Sequence, residues 1–316
     1  MKKGEAWASP FLSESDFLSC SMSADQFLQY LLAGLSQGSV YALVGLGFTI
    51  IYAVTRIINF AQGEFVMLGG MLSFTLGVSA GLPLAVAAIL SIVITAIIGA
   101  IMYLLAIRTA KRASVISLII ITIGASIFIR GIAGTKEMWG VDAVRPLPFT
   151  GSESIGILGA YIQPQVLWVI GAAVLVTVLL QLFLTRTVVG KALKACAVNP
   201  QAAVLVGINI KTMALIAFIL AAALGGIGGV VMAPWTMMSY HSGFMIGLKG
   251  FVAASIGGFK SPIATVIGGI LIGVVENMVV GINYGPFTSQ YMDVWGLVVL
   301  LAILLIRSGR LASEEA

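Results

Sequence analysis

Charged residues are scarce in this sequence, and their scarcity excludes an ordinary soluble fold. Lys, Arg, Asp and Glu make up 9% of the 316 residues, whereas a soluble domain carries about 25%. Hydrophobic residues make up 59%, and apolar runs long enough to cross a bilayer recur from about residue 27 to residue 306. These runs are continuous rather than alternating, which excludes a β-barrel. The sequence therefore predicts an all-α polytopic integral membrane protein.

Histidine and cysteine are nearly absent, which argues against metal and nucleophilic chemistry. His241 is the single histidine, and it lacks the partners that a metal site or a general base needs. Cys196 lies in a basic segment that we expect in the cytoplasm, where thiols stay reduced, so it forms no disulfide framework with Cys20. The sequence also lacks a GxxxxGK[ST] phosphate-binding loop. We therefore expect no metal, no cofactor, no catalytic residue and no ATP hydrolysis by this chain.

The formal charge of +5 comes from basic residues grouped between the apolar runs, which is typical of cytoplasmic loops rather than of a nucleic-acid interface. If loops 108–112 and 185–211 are cytoplasmic, Arg307 and Arg310 fall on the same side of the membrane. Nine crossings with an external N-terminus fit this orientation, and so do eight with an internal N-terminus if part of 34–64 is re-entrant. We predict about eight to nine transmembrane helices, some of them short or interrupted. Arg130 is expected to snorkel towards the interface from the far end of its run.

The chain divides into a tail and one membrane domain. Residues 1–25 lack the continuous apolar core of a signal peptide, so we expect an N-terminal tail or an over-extended start with Met22 as the true beginning. Residues 26–316 then form a single transmembrane domain that carries a cytoplasmic segment at 186–211.

Two segments of the membrane domain share a spacing. Phe60 precedes Gly69-Gly70 by nine residues, and Phe259 precedes Gly268-Gly269 by nine. The match indicates a parallel internal repeat, and the alternative is a chance match in a chain with 37 glycines. In a true repeat, the paired interrupted segments would mark the translocation path.

Polar residues interrupt the apolar stretch that begins at Gly34. The stretch breaks at Thr55-Arg56 and passes through a polar turn at 59–64. Glu64 and Glu276 are the only acids inside apolar runs, and because each costs about 2.5–3.5 kcal/mol at a helix centre, each should face the bundle interior. One interpretation is a polar lining or gate, and the other is a structural hydrogen bond between helices, with Gln62, Asn277 or Lys249 as partner. The residues assigned to the path are Asn59, Gln62, Gly63, Glu64, Glu276 and Asn277.

The basic segment contains the signals of a short helix. Asn199 is a good N-cap, Pro200 suits the first helical position and Gly207 suits the C-terminal stop. The helix would be polar at its start and apolar along 202–206. It is either a plain connector or a docking element, and exposed apolar residues on a cytoplasmic segment favour a partner that buries them.

Several sequence strings resemble a known family of transporters. Gln201-Ala202-Ala203 followed by Gly207 resembles the xAAxxxG core of the loop by which ABC-importer permeases dock their ATPases, although Gln replaces the usual Glu and no Leu-Pro follows. The longer strings are more specific. The strings GSVYALVGLGFTIIYAVTRIINFAQGEFVMLGG (38–70), GKALKACAVNPQAAVLVGIN (190–209) and LKGFVAASIGGFKSPIATVIGGILIGVVEN (248–277) together resemble the branched-chain amino acid ABC-transporter permeases, the LivH-like subunit.

The resemblance implies a function and a set of partners. It implies a multi-pass permease of the bacterial inner membrane, surrounded by membrane lipid, that imports leucine, isoleucine and valine. The implied partners are a second, LivM-like permease subunit, two cytoplasmic ATPases and a periplasmic substrate-binding protein. The residues implied to couple the chain to its ATPases are Gly190, Lys191, Asn199, Pro200, Gln201, Ala202, Ala203 and Gly207.

Two alternatives stay open from the sequence. The related urea-type permeases share the INFAxGE-like turn at 58–64, so another small polar solute would fit the same class. A self-contained secondary transporter or channel would instead use Glu64, Glu276 and Lys249 as ion or proton sites and would need no ATPase.

Overall fold

The structure is a computed structural model that describes residues 23–110, 114–151, 153–157, 160–282, 292–299, 301–302 and 305. Helices dominate this part of the chain. A short antiparallel pair of strands, β1 (Ile155–Ile157) and β2 (Ala160–Ile162), is added in the loop before α5. In chain order the helices are α1 (Ala24–Thr55), α2 (Gln62–Phe74), α3 (Leu84–Met102), α4 (Val115–Ala133), α5 (Pro164–Arg186), α6 (Val188–Val198), α7 (Pro200–Leu205), α8 (Ile210–Met232), α9 (Ser242–Ile256) and α10 (Pro262–Gly281). Residues 292–299 are also helical and are named the C-terminal segment below.

Six helices of the described chain are long and apolar enough to cross a membrane. They are α1, α3 with its π-helical extension to Ile107, α4, α5, α8 and α10. A π-helical turn (Thr75–Ser79) extends α2, and α9 is a shorter apolar helix. The prediction of an all-α polytopic membrane protein with some short helices is therefore confirmed.

The helix α1 lies at the centre of the bundle. It packs against α10, α8, α9, α5 and α6, and 83% of its most apolar window is buried, against 11% for α4. A helix that is apolar all round is expected either in a core or in lipid. Here α1 is the core helix, whereas α3, α4 and α5 present most of their aliphatic surface outwards.

Facing glycines bring α1 and α10 into backbone contact. Gly34 and Gly38 on α1 lie against Gly269 and Gly273 on α10, so that a Cβ at any of the four would meet backbone atoms of the opposite helix. The spacing on each helix is four residues, which places both glycines of a helix on one face. A second close contact forms where Gly225 and other glycines of α8 meet α2.

The break after α1 lies inside the bundle. Residues 57–61 are not helical, yet Ile57, Asn59 and Ala61 are buried. The next helix starts at Gln62, whose side chain packs against Gly47. Gly47 lies eight residues, or about 12 Å, before the end of α1. Non-helical backbone at membrane depth is tolerated only where protein or a water-filled cavity surrounds it. The interruption predicted here is therefore a buried feature of the fold.

Several predictions fall outside the described residues. Met22, Cys20, Arg307 and Arg310 belong to this group, together with the tail up to residue 22. The number of crossings and the internal repeat stay predictions. The second run was expected from about Phe60, and the helix begins at Gln62.

The glycine contact between α1 and α10 gives a stability prediction. Gly273→Ala places a methyl group against the backbone of Gly38 and should lower the free energy of unfolding by about 1–3 kcal/mol, because neither backbone can yield without separating the helices. Thermal unfolding in detergent measures the effect. The matched control is Gly171→Ala on α5, where the added methyl has nothing within 4 Å; equal stability of the two variants would contradict the prediction.

Candidate functional site

Glu64 is fully buried and belongs to a chain of polar contacts that joins α2 to α4. Ser126 Oγ donates a hydrogen bond to Glu64 Oε1 at 2.8 Å, and Arg130 Nη2 donates to Ser126 Oγ at 3.2 Å. Arg130 Nη2 also lies 3.5 Å from Glu64 Oε1 as an ion pair. The prediction that Arg130 snorkels to the interface is wrong, because its guanidinium turns inwards to the carboxylate.

Two helix N-termini meet at the Glu64 carboxylate. Glu64 stands in the first turn of α2, and Gly243 in the first turn of α9 is so close that a Cβ there would touch Glu64 Oε2. The N-terminal end of a helix carries a partial positive charge that stabilises an anion. The carboxylate is therefore balanced by Arg130 and by two helix ends, and Oε2 accepts no hydrogen bond from the described residues.

The other residues predicted near this break take structural positions. Gln62 Nε2 donates to the carbonyl of Ala221 at 2.8 Å, which ties the start of α2 to α8. Asn59 Oδ1 accepts from the amide of Ala61 at 3.1 Å and closes the turn. Gly63 touches the backbone of Gly243, so a larger residue would push α9 away. The polar turn thus positions Glu64 and fixes the crossing of two short helices.

A second polar cluster surrounds Lys249 on α9. Its Nζ donates to Glu276 Oε2 at 3.0 Å, to Tyr41 OH at 3.0 Å and to Asp293 Oδ1 at 2.7 Å. Tyr41 OH also donates to Glu276 Oε2 at 3.0 Å. Lys249 and Glu276 are buried. The predicted pairing of Glu276 with Lys249 is present, and the cluster joins α1, α9, α10 and the C-terminal segment.

Asn277 extends this cluster along α1. Its Nδ2 donates to Gln37 Oε1 at 3.2 Å and to the carbonyl of Gly273 at 2.9 Å, and Gln37 Nε2 in turn donates to Tyr41 OH at 2.7 Å. Glu276 and Asn277 were grouped from the sequence with residues 59–64. In the described structure the two sets form separate clusters, with no hydrogen bond recorded between them.

Sequence reasoning missed some members of both clusters. Ser126 and Arg130 are four residues apart in a largely apolar helix, and Gln37 and Tyr41 show the same spacing, which puts each pair on one helix face. Polar pairs at this spacing inside apolar runs are a usable signal. Asp293 carries no such signal, because its partner Lys249 lies on another helix.

The basic segment folds as two capped helices. Thr187 caps α6 by accepting from the amide of Gly190, and Asn199 caps α7 by accepting from the amides of Gln201 and Ala202. Pro200 occupies the first position of α7, and Gly207 follows its end with φ +86°. The predicted cap, first position and stop of the short helix are therefore present.

The surface of α7 is apolar and exposed. Leu205 is 88% exposed, and Val204 and Val206 are also exposed. Ala203 points inwards and is buried. Among the remaining predicted residues, Lys191, Gln201, Ala202 and Gly207 are exposed, whereas Gly190 packs tightly against the end of α5.

Arg56 connects this segment to the break in the bundle. It ends α1 in a left-handed conformation, with φ 59°, and its Nη2 donates to the carbonyl of Ala197 in the last turn of α6. A cation at a helix C-terminus is favourable. A cavity of about 360 Å³ opens beside this contact, lined in part by Lys260. The ends of α1 and α6 and the start of α10 therefore form one face of the molecule, named the Arg56 end below.

Comparison with known proteins identifies relatives over most of the chain. The family model for the permease component of branched-chain amino acid transport systems matches residues 30–307. The permease protein LivH of Escherichia coli is 29% identical over 89% of this chain and 93% of its own length. BraD of Pseudomonas aeruginosa is 32% identical over 89% and 94%, and the probable LivH of Methanocaldococcus jannaschii is 29% identical over 85% and 87%. All three are named as branched-chain amino acid transport permeases.

The Lys249 cluster predicts a large effect of removing its cation. Lys249→Met leaves Glu276 buried and unpaired, which should cost about 3–5 kcal/mol of stability. Adding Glu276→Gln to that variant should restore much of the loss, since no uncompensated charge remains. Detergent unfolding midpoints and membrane yields measure both variants, with Lys191→Met as an exposed control. A double variant no more stable than Lys249→Met would contradict the ion-pair explanation.

Cys196 gives a prediction about the packing of α6. Burial raises the pKa of the Cys196 thiol, so less of the reactive thiolate is present at neutral pH. In a Cys20→Ser background, maleimide should label Cys196 much more slowly than a thiol introduced by Ala202→Cys, and mild denaturation should remove the difference. Equal native labelling rates would show that α6 does not pack as described.

Proposed function

The chain belongs to the family of permease components of branched-chain amino acid transport systems, and from that premise we propose that it is the membrane subunit of an ABC importer for leucine, isoleucine and valine. It is a multi-pass protein of the inner membrane and a transporter subunit rather than an enzyme. ATP hydrolysis is assigned to two cytoplasmic partner subunits. A second, LivM-like permease and a periplasmic substrate-binding protein complete the proposed assembly.

The observation that carries the proposal is the exposed apolar surface of α7. This helix has its own N-cap, first-turn proline and C-terminal glycine, so it is a defined element rather than a loose connector. Its outward face carries Val204, Leu205 and Val206 on a basic segment. Exposed apolar side chains on a rigid polar segment are expected to be covered by a partner, and the proposed partner is the ATPase.

A physical route leads from this surface into the bundle. The helix α7 follows α6 directly, and α6 packs on α5 and α1. Arg56 holds the last turn of α6 to the end of α1, next to the buried residues 57–61 that position Glu64. A displacement of α7 by the ATPase would therefore act on the turn where α2 begins. ATP binding shifts the transporter between states only if the contacts of the ATPase differ between them.

The secondary-transporter alternative is less favoured by the geometry. Glu64 is paired with Arg130, and Glu276 is paired with Lys249. A carboxylate that already has a cation of the protein beside it needs no bound metal ion or proton to balance its charge, so these pairs give no support to an ion-coupled mechanism.

Reconstitution separates the two mechanisms. The chain would be co-expressed with the permease, ATPase and binding-protein genes of its own transport system and placed in liposomes. Leucine uptake that requires ATP and all partners is the expected result. Uptake by this chain alone, driven by an ion gradient, would overturn the proposal in favour of the secondary transporter.

The surface of α7 makes the docking prediction specific. Leu205→Glu should release the ATPase subunits in pull-down experiments while leaving membrane insertion intact, because it puts a charge at the centre of the apolar contact. Ala203 is a poorer choice of site because it is buried in the chain's own packing. The matched control is Val141→Glu, which introduces the same charge at an exposed valine in the loop after α4. Co-purification of the ATPases with the Leu205→Glu variant would contradict the assignment.

A further inference from the structure

The ion pair between Lys249 and Asp293 has one buried end and one exposed end. The side chain of Lys249 is 7% exposed, whereas that of Asp293 is 56% exposed. The other acidic partner, Glu276, is fully buried. Two carboxylates therefore share one ammonium group, and only one of the two is open to exchange with its surroundings.

The two contacts of Lys249 differ in what their loss would cost. If Asp293 moves away, Lys249 keeps Glu276 and Tyr41 as partners, both at 3.0 Å, so its charge stays compensated. If Glu276 moves away, a buried carboxylate loses its cation, which is strongly unfavourable. The Lys249–Glu276 pair is thus permanent, whereas the Lys249–Asp293 pair is exchangeable.

An unused acceptor lies next to the exchangeable pair. Glu276 Oε1 is buried and has no hydrogen-bond partner among the described residues. It faces the bare backbone of Gly296, where any side chain would collide with it. Gly296 belongs to the same C-terminal segment as Asp293. A buried carboxylate oxygen without a donor has an unmet need for a hydrogen bond, so Glu276 Oε1 can accept from one more donor if the C-terminal segment moves away from it.

The Lys249 cluster lies far from the Arg56 end and at membrane depth. Glu276 follows Pro262 by 14 residues along α10, which places it about 21 Å from the Arg56 end and about 8 Å before the last residue of the helix. A charged side chain that is more than half exposed at this depth must face water or protein rather than lipid. Asp293 therefore faces water or another protein surface in the far half of the bundle.

We propose that the Lys249–Asp293 pair receives the two charged groups shared by all α-amino acids. The substrate carboxylate would replace Asp293 on Lys249, and the substrate ammonium would bind Asp293, with Glu276 Oε1 as a further acceptor. This inference rests on the proposed function and names the residues that would recognise the charged groups of its substrates, groups that neutral solutes such as urea lack. Each ion pair that opens is replaced by another, so the solute is held weakly and passes on.

Asp293→Asn tests the proposal in the complete reconstituted transporter. The substitution keeps the size of an exposed side chain and removes its charge, so the complex should assemble and the loaded binding protein should still stimulate ATP hydrolysis. Leucine uptake per ATP hydrolysed should fall about tenfold or more, the loss expected for one charge-assisted hydrogen bond. The matched control is Asp142→Asn, an exposed acid in the loop after α4, which should retain the wild-type ratio.

A labelling experiment tests contact with the solute directly. In the complete transporter carrying Cys20→Ser, Cys196→Ser and Val294→Cys, L-leucine should slow maleimide labelling at position 294, next to Asp293. Adding Asp293→Asn should abolish the protection, and 3-methylbutan-1-ol, which has no charge, should not protect.

Three outcomes overturn the inference. The first is a ratio of leucine uptake to ATP hydrolysis within about twofold of wild type for Asp293→Asn. The second is loss of ATPase assembly in that variant, which would make the pair a structural tie. The third is equal protection of position 294 by the alcohol. Failure of the wild-type complex to take up leucine would instead contradict the proposed function itself.

Discussion

Charge compensation inside the membrane is the constraint on which this structure depends. A buried carboxylate is stable there only beside a cation, hydrogen-bond donors or a helix N-terminus. Glu64 has Arg130, Ser126 and two helix ends, and Glu276 has Lys249 and Tyr41. These contacts join helices that lie far apart in the sequence. The polar residues of the bundle therefore act as ties between helices as well as candidates for contact with solute.

Glycine makes these ties possible by letting helix backbones approach closely. The α1–α10 contact through facing glycines brings Tyr41 within reach of Glu276, and the Gly63–Gly243 contact brings the N-terminus of α9 to Glu64. Close packing also excludes water, which strengthens the interaction between the charges. The glycine-rich composition and the few charged residues are thus two parts of one arrangement.

The features predicted correctly from the sequence are those set by residues close together in the chain. Membrane helices follow from long apolar runs, and α7 follows from Asn199, Pro200 and Gly207 because caps act within a few residues. The cost of burying Glu64 and Glu276 identified both as interior residues. The partner of Glu64 was not predictable from composition alone, since whether Arg130 turns inwards or snorkels depends on which helix lies beside α4. Likewise, the inward direction of Ala203 is set by packing rather than by the cap residues.

The buried break before Gln62 has a consequence for how the chain is made. Gln62 bonds to a carbonyl 159 residues later, and Tyr41 bonds to a carboxylate 235 residues later. The first two helices therefore leave the ribosome long before their partners exist, and the polar start of α2 cannot enter lipid alone. During insertion, the polar start of α2 must therefore be kept out of contact with lipid until α8, α9 and α10 are made and pack against the first two helices.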